Sequence, residues 1–593
     1  MWRAVALADS EPRHATPAHE ALLAESSRLL KELPVKFDLL TEPWLPVVTT
    51  NGAHTEMSIR DVFTQAHELR WLDGETPVVT AALHRMLLAL AHRCYGPENA
   101  SVWKRLWTGP SLHEPPEDER SDNERSEDER AFEKYLASVS DRFDLFHTTR
   151  PFLQTPALGE KAWGNVTQLL PHRATGNNAT LFDHTTTADR VTLSPAQAAR
   201  WLVTLQAFDA GGLKTPYRTD KSSEAGLANR FATTLLEGST LRETLLLNMP
   251  IYHPDAGYPR PTSAADCPAW EYKHPPGPEP DKQGRAPTGW TDMLTWPSRR
   301  VLLHPTHTDQ GVRVDGVIIT PGTRLRTDLP DSELMAAFRY TTKRQRGKLV
   351  KTGRPQPVLL EELRGVWRHA RELLVGDWEN AHRERPRTIE HVAEMAASDN
   401  IAADAVYTLR VFGQQLNPQG GAVHAWQQET LPAPVALLRA DLRHEAVGDL
   451  LGLSVGLADD VGDALKRLER DFAAALSGEA PTKRQLLAQW YWPRLSEPFG
   501  DFLRELGRAL NSGNTGAQQR ELLEAAGRWK NRVRTTGENA ADQWAEDVPR
   551  RGARQLQALA KPLNDFRGLL DWLCRTFDAN TARYHDPEKE EDD

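Results

Sequence analysis

A chain of 593 residues, 39% hydrophobic and 26% charged, is too long for one ordinary core, so a large irregular domain and a smaller regular one are expected. The formal net charge of -10 argues against a protein that coats nucleic acid over most of its surface, because phosphate binding needs concentrated positive potential; local basic patches stay open. A mean hydropathy of -0.56, with no apolar run near the roughly 18 residues of a membrane span, excludes an integral helical membrane protein. The opening MWRAVALADSEPRHATP has no basic n-region and no sustained apolar stretch, so no signal peptide is expected. Cys94, Cys267 and Cys574 are far apart and lack metal-ligand spacing, which points to a reducing cytoplasm and to no zinc site.

In chain order, residues 1–36 read as an extension, since AHEALLAESSRLLKEL has helical periodicity. KFDLLTEPWLPVVTTNGAHTEMSIRDVF then reads as two strands around a turn at Asn51-Gly52, followed by a helix capped by Ser58. Residues 78–94 predict an amphipathic helix, and the acid-rich run from Glu114 to Glu133 predicts a flexible insertion or a solvated helix start. From about 145 to 430, short strand-like pieces alternate with Pro-, Gly-, Thr- and Asn-rich loops. A doubly wound sheet is excluded, because no βαβ succession appears. Within this region RYTTKRQRGKLVKTGR, residues 339–354, collects Arg339, Lys343, Arg344, Arg346, Lys348, Lys351 and Arg354 without an acid. It is either a phosphate-facing patch or a solvated loop.

After a short link TLPAP at 430–434, Leu450, Leu453, Leu457, Val461, Leu465, Leu468 and Phe472 recur every three or four residues, placing one apolar stripe on a long helix. Helical stretches at about 482–511, 516–543 and 552–577 complete a set of four. The expected class is α+β: a large mixed domain of short strands and hairpins over 37–433, an antiparallel four-helix bundle over 434–580, and an acidic tail over 581–593.

A search for catalytic chemistry yields little. GLSVG at 452–456 matches a nucleophile-elbow pattern around Ser454, but that serine lies in the helical stripe and the only downstream histidine is His585 in the acidic tail. His304 and His307 lack a Cys, Asp or Glu cluster to complete a metal site, and no phosphate loop, dinucleotide fingerprint or HExxH occurs. A serine hydrolase using Ser454 and a purely structural scaffold remain as alternatives to a binding subunit. The informative places are uncharged loops: AFDAGGLKTPY with Gly211 and Gly212, RATGNNATLFDHTT at 173–186, and GQQLNPQGG at 413–421. Glycine pairs permit positive φ and let a backbone approach a ligand without an intervening Cβ.

FDLLTEPWLPV at 37–47, LFHTTRPFLQT at 145–155, GNNATLFDH at 176–184, LVTLQAFDAGG at 202–212 and WPSRRVLLHP at 296–305 follow one another in an order that resembles the CasA family. CasA is the large subunit of the type I-E CRISPR surveillance complex Cascade, and the resemblance runs from about residue 37 to the end. It implies a non-catalytic, cytoplasmic subunit without cofactors that inspects double-stranded target DNA for a short protospacer-adjacent motif from the minor groove. It also implies guide RNA, the other Cascade subunits and a helicase-nuclease effector as partners. Gly211 and Gly212 match the family's glycine loop. Gln419, with Asn417, Gly420 and Gly421 beside it, matches a glutamine-tipped wedge. Asn177, Asn178, Phe182 and His184 match a segment facing the guide and neighbouring subunits. A basic finger is implied, with Arg324, Arg326, Lys343 and Arg344 as candidates. The bundle is implied to touch the small subunit and displaced DNA through Arg532 and Arg534, or Arg550, Arg551 and Arg554. The paired-cysteine zinc motif of some relatives is absent, so no metal is carried over.

Overall fold

The structure, a computed structural model, describes residues 35–114, 126–171, 191–309, 311–345, 348–360, 365–375, 385–417, 423–439, 444–477, 486–512, 515–547 and 553–582. The expected helical extension up to residue 34, and the acidic tail from 583, lie outside them.

The first expected hairpin is present. Strands β1 (Leu45–Thr49) and β2 (His54–Met57) pair antiparallel from Leu45↔Met57 to Val48↔His54. Gly52 sits in the turn at φ +87, a conformation that favours glycine. Ser58 accepts the Asp61 N–H at 3.1 Å and starts the next helix. Strand β3 (Leu69–Leu72) flanks β1 on its other edge.

The helix expected over 78–94 spans Pro77–Tyr95, but it is not amphipathic: it is buried on nearly every side. Its apolar residues surround the axis, the pattern of a core helix, and its polar residues find partners inside. Arg85 donates to both Glu333 carboxylate oxygens at 3.0 Å, and His84 Nδ1 bonds the Thr80 carbonyl at 2.8 Å. His92 accepts from Trp290 Nε1 at 3.1 Å. Burial pushes His84 down to about 4 and His92 to about 3, because a desolvated imidazolium is disfavoured.

The remaining strands are β4 (Gly164–Asn165), β5 (Gly212–Leu213), β6 (Ser222–Ser223), β7 (Thr233–Glu237), β8 (Asp281–Arg285), β9 (Arg299–Thr308), β10 (Gly311–Pro321), β11 (Thr323–Leu325), β12 (Phe338–Gln345), β13 (Lys348–Pro357), β14 (Val406–Leu416) and β15 (Val423–Pro434). They form small sheets, β4-β10-β9, β15-β14-β7, β5-β6, β12-β13 and β8-β11, all antiparallel except the last pair. This mixed arrangement of helices and short strands is the coarse class read from the sequence.

Three local expectations are corrected. The basic run 339–354, read as a phosphate-facing patch or a solvated loop, lies in a hairpin instead of a loop, pairing Arg339↔Gln356 through Gln345↔Lys348; Thr341, Thr342, Val350 and Thr352 are residue types that favour strands. TLPAP is the end of β15, paired up to Val406↔Pro434, and its prolines are tolerated because β15 is an edge strand. The stretch expected as one helix over 482–511 divides into Leu486–Tyr491 and Ser496–Leu510 around a 3-10 turn at Trp492–Arg494, where Pro493 cannot continue the α-helical hydrogen bonds.

Helices His444–Ser477, Thr515–Asp547 and Ala553–Ala582 complete the C-terminal part. Its core reaches back into the earlier chain. Trp367 packs within 4.9 to 6.0 Å, centroid to centroid, of Phe499, Trp529 and Trp492, and Arg368 donates to Asp459 at 2.8 Å.

Candidate nucleic-acid interface

The glycine pair is carried at the end of a well-anchored helix, Pro195–Phe208. Ser194 and Gln197 exchange hydrogen bonds at 3.1 Å in a capping box, with Pro195 in the first turn. Just past the helix, the buried Asp209 carboxylate accepts from Lys214 at 2.8 Å and from Arg299 Nε. Burial raises the pKa of Asp209, but the Arg299 and Lys214 charges outweigh it and hold the carboxyl below its ordinary value. Arg299 also donates to the Glu224 carbonyl at 2.6 Å, and the Gly226 N–H to the Asp209 carbonyl at 2.7 Å. The two ends of segment 209–226 are therefore clasped together.

Inside that clasp Gly211 and Gly212 have φ +82 and φ +86. A Cβ on Gly211 would lie 2.7 Å from the Ala225 nitrogen, so conformation and space both require glycine there. Gly212↔Ser223 and Leu213↔Ser222 then form the short β5-β6 hairpin, and Leu213 is 73% exposed. Its tip carries Tyr217, with Lys161 5.1 Å above the ring, and Arg218, paired with Glu279.

Of the basic-finger candidates, Arg324 lines a cleft beneath this hairpin together with Asp220, Ser222, Glu224 and Arg299. Its guanidinium lies 3.9 Å from Asp220. Arg326 instead donates to the Gln283 and Lys282 carbonyls of β8. Lys343 and Arg344 sit in β12, opposite Val350 and Leu349, and their side chains lie outside the described residues.

GQQLNPQGG is not a loop throughout: residues 413–416 continue β14, paired with β15 as far as Leu416↔Val423. Gln414 is not at a tip at all; its carboxamide points back into the protein. Asn417 is exposed at the end of the strand, while Gln419, Gly420 and Gly421 lie outside the described residues, as do Asn177, Asn178, Phe182 and His184. The hairpin rests on an aromatic footing. Phe412 stacks on Trp71 at 6.4 Å, Trp71 meets the His84 ring at a tilt at 4.3 Å, and Arg410 covers Trp71 at 4.5 Å.

A family model described as CRISPR-associated protein Cse1 matches residues 38–540. The chain belongs to the CasA/Cse1 family. A CasA/Cse1 protein of Thermus thermophilus is 31% identical over 563 residues, covering 91% of this chain and 98% of its own. Thermobifida fusca Cse1 superposes with a TM-score of 0.73 at 25% identity, covering 91% of this chain and 98% of that one. A chain of a CRISPR RNA-guided surveillance complex shares the fold at TM-score 0.69 and 20% identity, over 90% of this chain and 100% of its own.

The hydrolase alternative fails on geometry in this CasA/Cse1 chain. Ser454 is fully buried inside the 444–477 helix, its carbonyl accepting Trp529 Nε1 at 2.9 Å, with no strand-to-helix turn to expose the hydroxyl. His304 is paired with Asp315 at 2.7 Å, and among the described residues no group of His, Cys, Asp and Glu is arranged to hold a metal ion. Of the bundle arginines, Arg534 is engaged by Glu538 and Asp571 and Arg554 by the Leu476 carbonyl, while Arg532 is exposed and Arg550 and Arg551 lie outside the described residues. Asp209, Arg299 and Gln414 are the positions that sequence reasoning missed. The charged clasp joins residues 90 apart in the chain, a separation that leaves no local pattern.

Proposed function

We propose that this chain is the large, non-catalytic subunit of a CRISPR guide-RNA surveillance complex, reading a short motif in double-stranded DNA from the minor groove and opening the duplex beside it. The observation that supports this most is the clasped glycine hairpin: two successive residues without Cβ atoms, at positive φ, on a rigid mount. Such a backbone can lie against base edges, and the minor groove offers a degenerate set of acceptors plus the guanine amino group, so reading there tolerates related motifs. Arg324, at the cleft under the hairpin, is the basic finger on this reading.

Gln419, which falls between β14 and β15 in the sequence, acts as the wedge. Its neutral amide replaces part of the lost base pairing, and opening a step costs on the order of a few kcal/mol, offset by protein contacts and guide pairing. Asn177, Asn178, Phe182 and His184 face the guide and neighbouring subunits. The C-terminal helices form an antiparallel four-helix bundle that meets the small subunit, and the whole subunit helps recruit the helicase-nuclease. The test is Gln419→Ala in the reconstituted complex, with strand opening followed by a fluorescent base beside the motif. Opening of linear duplex falls by more than that of a target already bubbled there; equal losses on both would refute the wedge.

A further inference from the structure

The base of the amide-tipped hairpin is tied to the glycine hairpin through one side chain. Gln414 Nε2 donates to the Phe208 carbonyl and to Asn229 Oδ1, each at 2.9 Å, and its Oε1 accepts from Trp426 Nε1 at 2.8 Å. Asn229 Nδ2 passes the connection on to the Asp209 carbonyl at 2.7 Å. Phe208 ends the helix that leads into Gly211, and Trp426 lies on β15 with its ring 6.4 Å from Trp201 of that same helix. Both donors and the oxygen of a carboxamide are thus engaged across the junction, which only Gln or a longer homologue can do. Glutamate would set a carboxylate against the Phe208 carbonyl and Asn229 Oδ1, and asparagine falls one methylene short.

The sheet explains why this tie matters. Strand β7 supports β14 only from Thr408↔Glu237 to Phe412↔Thr233. Beyond Phe412 the hairpin projects as a two-stranded ribbon among the described residues, and an isolated ribbon is only marginally ordered in water. Gln414 is two residues past the last β7 pair and three before Asn417, about 10 Å of strand from it.

We propose that Gln414 is a positioning residue that couples motif reading to duplex opening, holding the wedge hairpin at a set position relative to the glycine hairpin so that the wedge reaches the duplex only beside a correctly seated motif. This rests on the functional reading above and adds to it that the two elements work as one body.

The experiment uses the full chain in the reconstituted guide complex, with three targets: linear duplex with the correct motif, linear duplex with an incorrect motif, and a correct-motif target already bubbled beside it. Gln414→Met keeps the side-chain length and removes all three hydrogen bonds. The variant is expected to open linear correct-motif duplex about tenfold more slowly, to open the bubbled target like the wild type, and to discriminate less between motifs. Trp426→Phe keeps an aromatic ring and removes one donor, so it is expected to shift the same readouts in the same direction by about threefold, and it provides the test should Gln414→Met fold poorly. Wild-type rates and discrimination in both variants would overturn the coupling. Equal slowing on linear and bubbled targets would also overturn it, by reducing Gln414 to general support. A wild-type complex with no motif preference would refute the glycine-hairpin reading, and the coupling with it.

Discussion

The two hairpins brought together here are held in opposite ways. The β5-β6 hairpin has only two paired positions on each strand, too few to order it, and depends on a charged clasp in which Asp209 sits between Arg299 and Lys214. The β14-β15 hairpin is long, shares a sheet with β7 and stands on Phe412, Trp71 and His84. A hairpin this short cannot carry a large apolar side, so its rigidity comes from buried charge and from glycine conformation. On the proposed function, a long element that pushes can bury one end in the core, as β14 does at Phe412. The same protein thus offers two anchors that different perturbations should separate.

The largest separation is expected from Arg299→Ala. It leaves Asp209 buried beside Lys214 alone, and breaking a buried pair from one side costs about 3 to 5 kcal/mol; urea denaturation reads this directly. Arg324→Ala, at a side chain 33% exposed, should leave the denaturation midpoint near that of the wild type while weakening binding to correct-motif duplex. A similar loss of stability in both variants would show that the clasp is no special support.

Mild acid should act on the other hairpin. His84 takes up its proton only near pH 4 when folded, against 6.5 ordinarily, so the unfolded chain binds more protons between those values. The His84 contribution to stability is therefore full above about pH 6.5 and falls as the pH drops, by about 2 kcal/mol at pH 5. Asp209 has the opposite reference: its folded pKa lies below 3.8, so its contribution is present above that value and lost only as the pH falls below it. Hydrogen exchange at pH 7 and pH 5, corrected for intrinsic rates, should show β14 losing protection while 209–226 keeps it. Equal loss in both would contradict the separation.

Smaller effects come from single atoms. Gly211→Ala meets the Ala225 backbone and an unfavourable φ, and is expected to cost about 1 to 2 kcal/mol and to blunt motif discrimination. Gly413→Ala meets only the Leu360 side chain, at 3.1 Å, and should cost about 1 kcal/mol or less. The smallest change is expected for Ser454→Ala, since the Ser454 hydroxyl is buried without a hydrogen-bond partner among the described residues. Stability should stay within about 1 kcal/mol of the wild type, with DNA opening unchanged.

What the sequence made legible were features with local causes. Asn51-Gly52 and the Ser58 cap marked the first hairpin and helix, and the three-four spacing of Leu450 to Phe472 marked the long helix His444–Ser477. Features set by distant partners were not legible. The helix expected to be amphipathic over 78–94 is a core helix, because His84, Arg85 and His92 are each buried on a partner. The strands within the basic run were not foreseen, because its charges outnumber its β-branched residues. Gln414 read as part of a polar tip because nothing nearby reveals that Phe208, Asn229 and Trp426 surround it. The glycine pair was found, but the reason it holds its shape lies in Arg299, far along the chain.

The most direct test is motif-dependent binding by the guide complex assembled with and without this chain, at one fixed salt concentration, since phosphate contacts make affinities salt-dependent. With the chain present, targets carrying the correct adjacent motif should bind more tightly than otherwise identical targets with an incorrect one, and without it the difference should vanish. Equal affinity for both targets in both assemblies would contradict a motif-reading role.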